Sequence, residues 1–369
     1  MGSITFIPMK GTWLILLSFL YFPAWAQQSN RYKVIAYSTG NDSLILTYPL
    51  DKITHLIFSF VKLQHDTLCF SDEKQRNTLQ RLVEQKKLYP RLKIMISIGG
   101  WGGCSTCSEL VSSAEHRKVF AETTASLLRE NRLDGIDLDW EYPAIEGYPG
   151  HAFSPADKNN FTLLLKELRK AMGNDLLLSF AAGGFIQYLD QSIDWEAVMP
   201  LVDFVNLMTY DLVGGYSQHT GHHTPLSSPA DSTVQESVST CVQWLLDHHV
   251  IPEKLMVGAA MYARVWENVP DTNHGLYQPG IFRQSVDYKN FENYFSDSSQ
   301  FSYFWDSQSN APYRYNPQSK LFATFDDERS IKEKVNYIRR KKLGGIMFWN
   351  LMEDKPNDGL LDVMFHYLK

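Results

Sequence analysis

Leu133-Asp134-Gly135-Ile136-Asp137-Leu138-Asp139-Trp140-Glu141-Tyr142-Pro143 alternates acids with large apolar side chains. On an extended strand, residues two apart share a face. Asp137, Asp139 and Glu141 therefore point one way, and Ile136, Leu138 and Trp140 the other. A solvated strand edge would not alternate so cleanly. A calcium loop of EF-hand type needs Gly at its sixth position and Glu at its twelfth, where this chain has Tyr142 and Tyr148. The pattern instead predicts a strand with apolar side chains packed on helices and acids turned into a closed sheet. Cα atoms on one face stand about 6.5–7 Å apart, so the three charges must couple. At least one proton is expected to be shared, with one or more carboxyls raised towards neutral pH. Such a group is suited to proton donation.

Outward from this stretch the chain repeats one unit: a short β-branched run, a loop, then an amphipathic helical segment. The expected strands are Val34–Tyr37, Thr54–Phe60, Lys93–Ile98, Gly135–Trp140, Leu176–Ala181, Phe204–Met208, Met256–Met261 and Gly345–Trp349. Helical periodicity covers Glu73–Leu88, Ala114–Glu130, Asp157–Met172, Val234–His248 and Ser330–Lys341. This alternation predicts a (β/α)8 TIM barrel in the α/β class. An open doubly wound sheet is disfavoured, because no G-x-G-x-x-G follows the first strand. Residues 265–325 break the rhythm between the seventh and eighth strands. They are dense in aromatics, including Tyr288, Phe291, Tyr294, Trp305 and Tyr313, which predicts a small α+β insertion on the rim.

The chain has 369 residues and a net charge of −6, with no block of like charge. Binding of nucleic acid through a basic patch is therefore not expected. Aromatics make up 13%, many in polar contexts, as suits a cleft where sugar faces stack on rings. The segment Trp13 to Phe22 is apolar but short for a bilayer and ends in Ala24-Trp25-Ala26, a cleavage-like pattern. Residues 1–26 thus read as a signal peptide, with Met9 the suspected initiator ahead of Lys10, and 27–369 as the exported catalytic barrel. No membrane attachment is expected after cleavage, and the protein is expected to be a secreted or periplasmic monomer. Cys104 and Cys107 are read as a short-loop disulfide rather than half a zinc site, with Cys69 and Cys241 free. His219, His222 and His223 resemble metal ligands by composition, but no metal or other cofactor is expected.

Asp134-x-x-Asp137-x-Asp139-x-Glu141 resembles the DxxDxDxE signature of family 18 glycoside hydrolases, the chitinase family. Ser97-Ile98-Gly99-Gly100-Trp101 is similar to that family's SxGG motif, Met208-Thr209-Tyr210-Asp211 to its MxYD motif, and Tyr262-Ala263-Arg264 to the YxR ending its seventh strand. Trp349 resembles the Trp that closes the eighth, and Phe325–Ile331 the segment leaving the insertion. Five short motifs in the right order are specific where each alone is weak.

The resemblance implies cleavage of β-1,4-linked N-acetylglucosamine, in chitin or chitooligosaccharides, by a substrate-assisted retaining route. The strand geometry agrees: Asp139 and Glu141 approach from one side, so Asp139 is badly placed for backside attack. The implied roles are Glu141 as general acid and base, Asp139 as stabiliser of the acetamido-derived oxazolinium, and Asp137 as its proton-sharing partner. Tyr210 would hold the acetamido carbonyl. Tyr142, Met208 and Asp211 would line the central subsite, and Arg264 would contact the sugar or the insertion. Trp349 would floor the bound ring, and Trp101 would be a stacking platform on the leaving-group side. Tyr37 reads equally well as a site or a core residue, and Trp305 as a cleft wall or the insertion's own core. Asp134 faces away from the chemistry and is assigned a structural role. Two rival functions share the motifs. They are an endo-β-N-acetylglucosaminidase on glycoprotein glycans, disfavoured by Trp140-Glu141-Tyr142-Pro143 and the insertion, and a non-catalytic chitinase-like lectin, disfavoured by the intact Glu141.

Overall fold

The computed structural model describes residues 1–3, 32–228 and 236–369, so the leader expected over 1–26 lies almost wholly outside the described residues. Residues 32–369 form one compact unit. Eight parallel strands close into a barrel: Lys33–Ser38, His55–Ser59, Lys93–Gly99, Gly135–Asp139, Leu177–Gly183, Phe204–Met208, Leu255–Ala260 and Gly345–Trp349. Each pairs with its neighbours in sequence, and the last pairs with the first through Lys33↔Gly345 and Ala36↔Phe348. Helices Glu73–Glu84, Ala114–Glu130, Asp157–Met172, Val238–Asp247, Glu328–Lys341 and Leu360–Leu368 follow strands of this barrel. The helix expected from Val234 has its first described turn at Val238, where the Ser237 side chain accepts the Thr240 N–H at 3.1 Å and caps it.

The strands carry two cores, one on each face. Ile136, Leu138 and Trp140 join the large outer core beneath the helices. Ile35, Tyr37, Ile57, Met95, Phe204, Met256 and Met347 fill the barrel interior. Full burial of each such side chain stabilises by about 1.5–3 kcal/mol. The filled interior leaves room for chemistry only at the carboxyl ends of the strands.

At the opposite, amino-terminal end, Asp134 accepts the Ile94 N–H and a Lys86 ammonium hydrogen, both at 2.8 Å. Asp203 does the same one strand pair along, taking the Leu178 N–H at 2.8 Å and Arg169 at 2.7 Å. Both acids sit where a strand begins and tie an amide in the first two residues of its neighbour, a stabilising device remote from the mouth.

Between the seventh and eighth barrel strands, strands Tyr262–Glu267, Ile281–Asp287, Ser302–Asp306, Ala311–Asn316 and Leu321–Thr324 form a five-stranded antiparallel sheet. Tyr262-Ala263-Arg264 therefore opens this sheet instead of ending the seventh strand as expected. The chain leaves the barrel after Ala260, and Ala263 pairs antiparallel with Val286. Where the chain returns, the fully buried Asp326 pairs with the equally buried Lys334. Asp326 also accepts hydrogen bonds from Ser330 at 2.6 Å and from the Ala260 N–H at 3.1 Å. This fixes the sheet's exit against the seventh strand.

Candidate active site

Asp137 and Asp139 lie in the fourth strand and Glu141 two residues beyond its end, all on the inward face. Asp137 is fully buried and its carboxylate is saturated with donors. Tyr37 Oη and Ser97 Oγ donate to Oδ2 at 2.8 and 3.1 Å, and Ser179 Oγ and Asn206 Nδ2 donate to Oδ1 at 2.7 and 3.1 Å. These donors come from the first, third, fifth and sixth strands, so the barrel converges on one carboxylate. Burial holds Asp137 above the usual carboxylate range, although the four hydrogen bonds pull it down. Tyr37 is thus both a core residue and a direct partner of the acid array.

Asp139 differs. It is 4% exposed, and its Oδ1 has no hydrogen-bond partner. Burial, then the charges of Glu141 and Asp137, push it well above the usual carboxylate range. Both acids are raised, Asp139 the further, so the proton they share rests by preference on Asp139. Glu141 is pushed up to about 7, chiefly by burial; a hydrogen bond with Tyr142 pulls it down and the charge of Asp211 adds to the rise. The array thus places a carboxylic acid able to give and retake a proton near neutral pH beside a second acid held neutral.

Above these acids opens a cavity of about 480 Å3 lined by Asp139, Glu141, Tyr142, Met208, Tyr210, Asp211, Arg264, Trp349 and Trp101. Asp137 and Tyr37 are not in its wall and act from beneath. Trp349 stacks on Phe60 at 5.7 Å and tilts against Tyr37 at 5.9 Å. Trp101 is 46% exposed and touches Tyr142, Tyr148 and Tyr216. Gly99, at φ +111°, explains the third strand's approach: a Cβ there would stand 1.9 Å from the Asp139 carbonyl oxygen. The Gly100 N–H donates to that same oxygen at 2.8 Å.

Asp211 cannot serve as a free acid or nucleophile. Burial alone would raise it, but the His223 ring 3.6 Å away, hydrogen bonds from Arg264 and the guanidinium charge hold it well below the usual carboxylate range. Arg264 Nε donates to Oδ1 at 2.7 Å, Tyr262 Oη to Oδ2 at 2.8 Å, and Arg264 Nη1 reaches Ser285 of the antiparallel sheet. Arg264 thus joins the insertion to the cavity wall.

Several wall residues were not expected from sequence: Phe60, Phe185, Tyr216, Tyr262 and Glu353. Glu353 is pushed up to about 8, mainly by burial, and its Oε2 has no hydrogen-bond partner. Ser179 and Asn206 did carry a signal, each being a lone polar residue at an inward position of an apolar strand. Trp305 is absent from the cavity wall; the Arg329 guanidinium lies 3.8 Å over its ring. His222 Nε2 lies 3.1 Å from Asp306, and His223 packs on Tyr262. Among the described residues no group of three or more His, Cys, Asp or Glu is arranged to hold a metal ion. Cys104 and Cys107 are disulfide-bonded, and Cys69 and Cys241 are free. No helix among the described residues is long and apolar enough to cross a membrane.

Comparison with known proteins follows the same lines. The chain is 32% identical over 306 residues to chitinase A1 of Niallia circulans, covering 77% of this chain and 44% of that relative, so it spans less than half of that protein's length. It is 28% identical to chitinase B of Serratia marcescens, covering 89% and 80% of the two chains. Among solved structures, a family 18 N-acetylglucosaminidase from Paenibacillus barengoltzii superposes with a TM-score of 0.82 at 35% identity, covering 91% and 99%. The Group IV chitinase of Ostrinia furnacalis gives 0.83 at 25%, covering 91% and 99%. The sequence model of glycosyl hydrolases family 18 matches residues 18–354. With the fold, the acid array and these relatives in agreement, the chain belongs to family 18 of the glycoside hydrolases.

Proposed function

We propose that the chain hydrolyses β-1,4-linked N-acetylglucosamine in chitin or chitooligosaccharides by substrate-assisted retaining catalysis, as an exported monomer. One observation carries the reading. Of the four acids in the cavity wall, Asp139 and Glu141 come from one strand and its extension, Asp211 is locked by Arg264 and Tyr262, and Glu353, pushed up to about 8 mainly by burial, stays protonated near neutral pH and is no nucleophile. An enzyme-borne nucleophile on the far face of the sugar has no residue to supply it, which leaves the substrate's own acetamido group.

In the first step Glu141, protonated near neutral pH, gives its proton to the glycosidic oxygen. The acetamido carbonyl oxygen attacks C1 as the C1–O bond breaks, forming a cyclic oxazolinium. Asp139 accepts a hydrogen bond from the acetamido nitrogen and, as positive charge develops there, passes its own proton to Asp137 beneath it. The negative charge thus moves from Asp137 to Asp139, next to the cation it stabilises. Tyr210 holds the carbonyl in line, and Trp349 bears the ring's apolar face. In the second step the Glu141 carboxylate takes a proton from water attacking C1 on the face the leaving group vacated. The ring opens, and configuration is retained.

A second reading concerns the cut. The Paenibacillus barengoltzii relative is named an N-acetylglucosaminidase, and the Trp101–Tyr216 contact at 6.1 Å narrows this mouth. Both favour release of short units from chain ends. Timed product analysis on defined chitooligosaccharides, with an N-glycoprotein control, tests substrate and mode together. Early, exclusive appearance of monomer or dimer supports end-on action. Cleavage of the glycoprotein alone would overturn the assignment. A thiazoline mimic of the oxazolinium should inhibit competitively, and indifference to it would point to another nucleophile.

A further inference from the structure

We infer that the Cys104–Cys107 disulfide is a positioning element for substrate binding, holding Trp101 as one half of an aromatic bridge across the leaving-group side of the cavity. The inference rests on the proposed reading of Trp101 as a stacking platform. Trp101 follows the third barrel strand and Tyr216 follows the sixth, with the fourth strand and Glu141 between them. Their rings meet at 6.1 Å, so the pair reaches over the acid array from two separate loops. Tyr148, at 5.7 Å from Trp101, extends the group.

The backbone that carries Trp101 is poorly suited to hold it. Gly99, Gly100 and Gly102 all have positive φ, and Gly103 completes a segment with four glycines around one tryptophan. Glycine is the most permissive backbone residue. Inside the turn the Gly103 N–H donates to Gly100 O at 2.8 Å. The disulfide supplies an anchor immediately after Gly103. Cys104 is 6% exposed, and its partner Cys107 opens the short helix Cys107–Ser112. That helix is itself fixed: Leu110 and Val111 lie in the outer core, Ser108 Oγ donates to Asp157 at 2.9 Å, and Arg117 donates to the Val111 carbonyl. The crosslink thus ties a glycine-rich loop to a rigid post, three residues from the ring it must present to the sugar.

The test compares wild type, the double variant Cys104→Ser/Cys107→Ser and Trp101→Ala on two substrates. One is a chitooligosaccharide, which places a sugar on the leaving-group side. The other is a pre-formed N-acetylglucosamine oxazoline, which places nothing there. The double variant should raise KM for the oligosaccharide about threefold to tenfold, the range of one aromatic contact, while oxazoline hydrolysis stays within about twofold of wild type. Trp101→Ala should raise the oligosaccharide KM at least as far. An unchanged KM in the double variant beside a raised KM in Trp101→Ala overturns the positioning role and leaves the platform standing. Parallel loss on both substrates makes the crosslink a support of the whole fold and overturns the inference too. An unchanged KM in both variants removes the platform, and the inference with it.

Discussion

Replacing Glu141 by Gln should inactivate the enzyme and stabilise it in one step, and the two effects should depend on pH differently. In the fold the Glu141 carboxyl is pushed up from 4.5 to about 7, first by burial. A carboxyl raised on folding favours the native state fully below its unfolded value and loses that contribution as pH climbs through the folded value. At about 1.4 kcal/mol per pH unit, the wild-type protein at pH 8 carries a penalty of about 3 kcal/mol that is absent near pH 4. Gln has the same shape and never ionises. Glu141→Gln should therefore match the wild type in denaturant unfolding near pH 4 and exceed it by about 2–3 kcal/mol near pH 8. Hydrolysis of chitooligosaccharides near pH 6 should meanwhile fall by about 10²–10⁴. Equal stabilities at both pH values would refute the raised carboxyl. Activity within about tenfold of wild type would refute the proton-donor role.

Three further outcomes follow from the same geometry. With an oligosaccharide substrate, kcat/KM should fall about tenfold per pH unit above about 7 as Glu141 ionises; with a dinitrophenyl leaving group, which needs no proton, the alkaline limb should flatten, and an identical limb for both would contradict the assignment. Asp137→Asn replaces an ionised acceptor facing four donors and should lower unfolding free energy by about 2–4 kcal/mol, whereas a loss under about 1 kcal/mol would mean that the site does not hold a charge. Lys334→Met strands the buried Asp326 and should cost about 3–5 kcal/mol, with Asp326→Asn/Lys334→Met recovering at least half; a single-variant cost near zero would show the pair to be idle.

The barrel and the acid array were legible because both rest on local period. Ile136, Leu138 and Trp140 alternate with Asp137, Asp139 and Glu141, and the alternation alone assigns each to a face, as the outer core and the cavity show. Asp134, odd in that alternation, was set apart correctly as a structural residue beside Lys86 and Ile94. What escaped the sequence depends on closure of the sheet. Tyr37 was already a candidate and Ser97 lay in a recognised motif, but their meeting with Ser179 and Asn206, across about half the chain, happens only because four strands surround one carboxylate. Phe60 and Tyr216 sit on loops and Glu353 ends a single 3-10 turn, where no period says which way a side chain points. The misplacement of Tyr262–Arg264 has a similar cause: an apolar run continuing past Ala260 does not show where parallel pairing gives way to antiparallel.

The central claim is that the reacting nucleophile belongs to the sugar, with Asp139 neutralising the charge it acquires. The most direct measurement is kcat/KM for a series of aryl glycosides whose N-acetyl group carries zero, one, two or three fluorines. Fluorine drains electron density from the carbonyl oxygen and leaves the ring and the leaving group unchanged. The account predicts a steep, monotonic fall in log kcat/KM across the series, shallower in Asp139→Asn. A flat series in the wild-type enzyme would mean that this oxygen does not attack, and the mechanism built on the one-sided acid pair would be wrong.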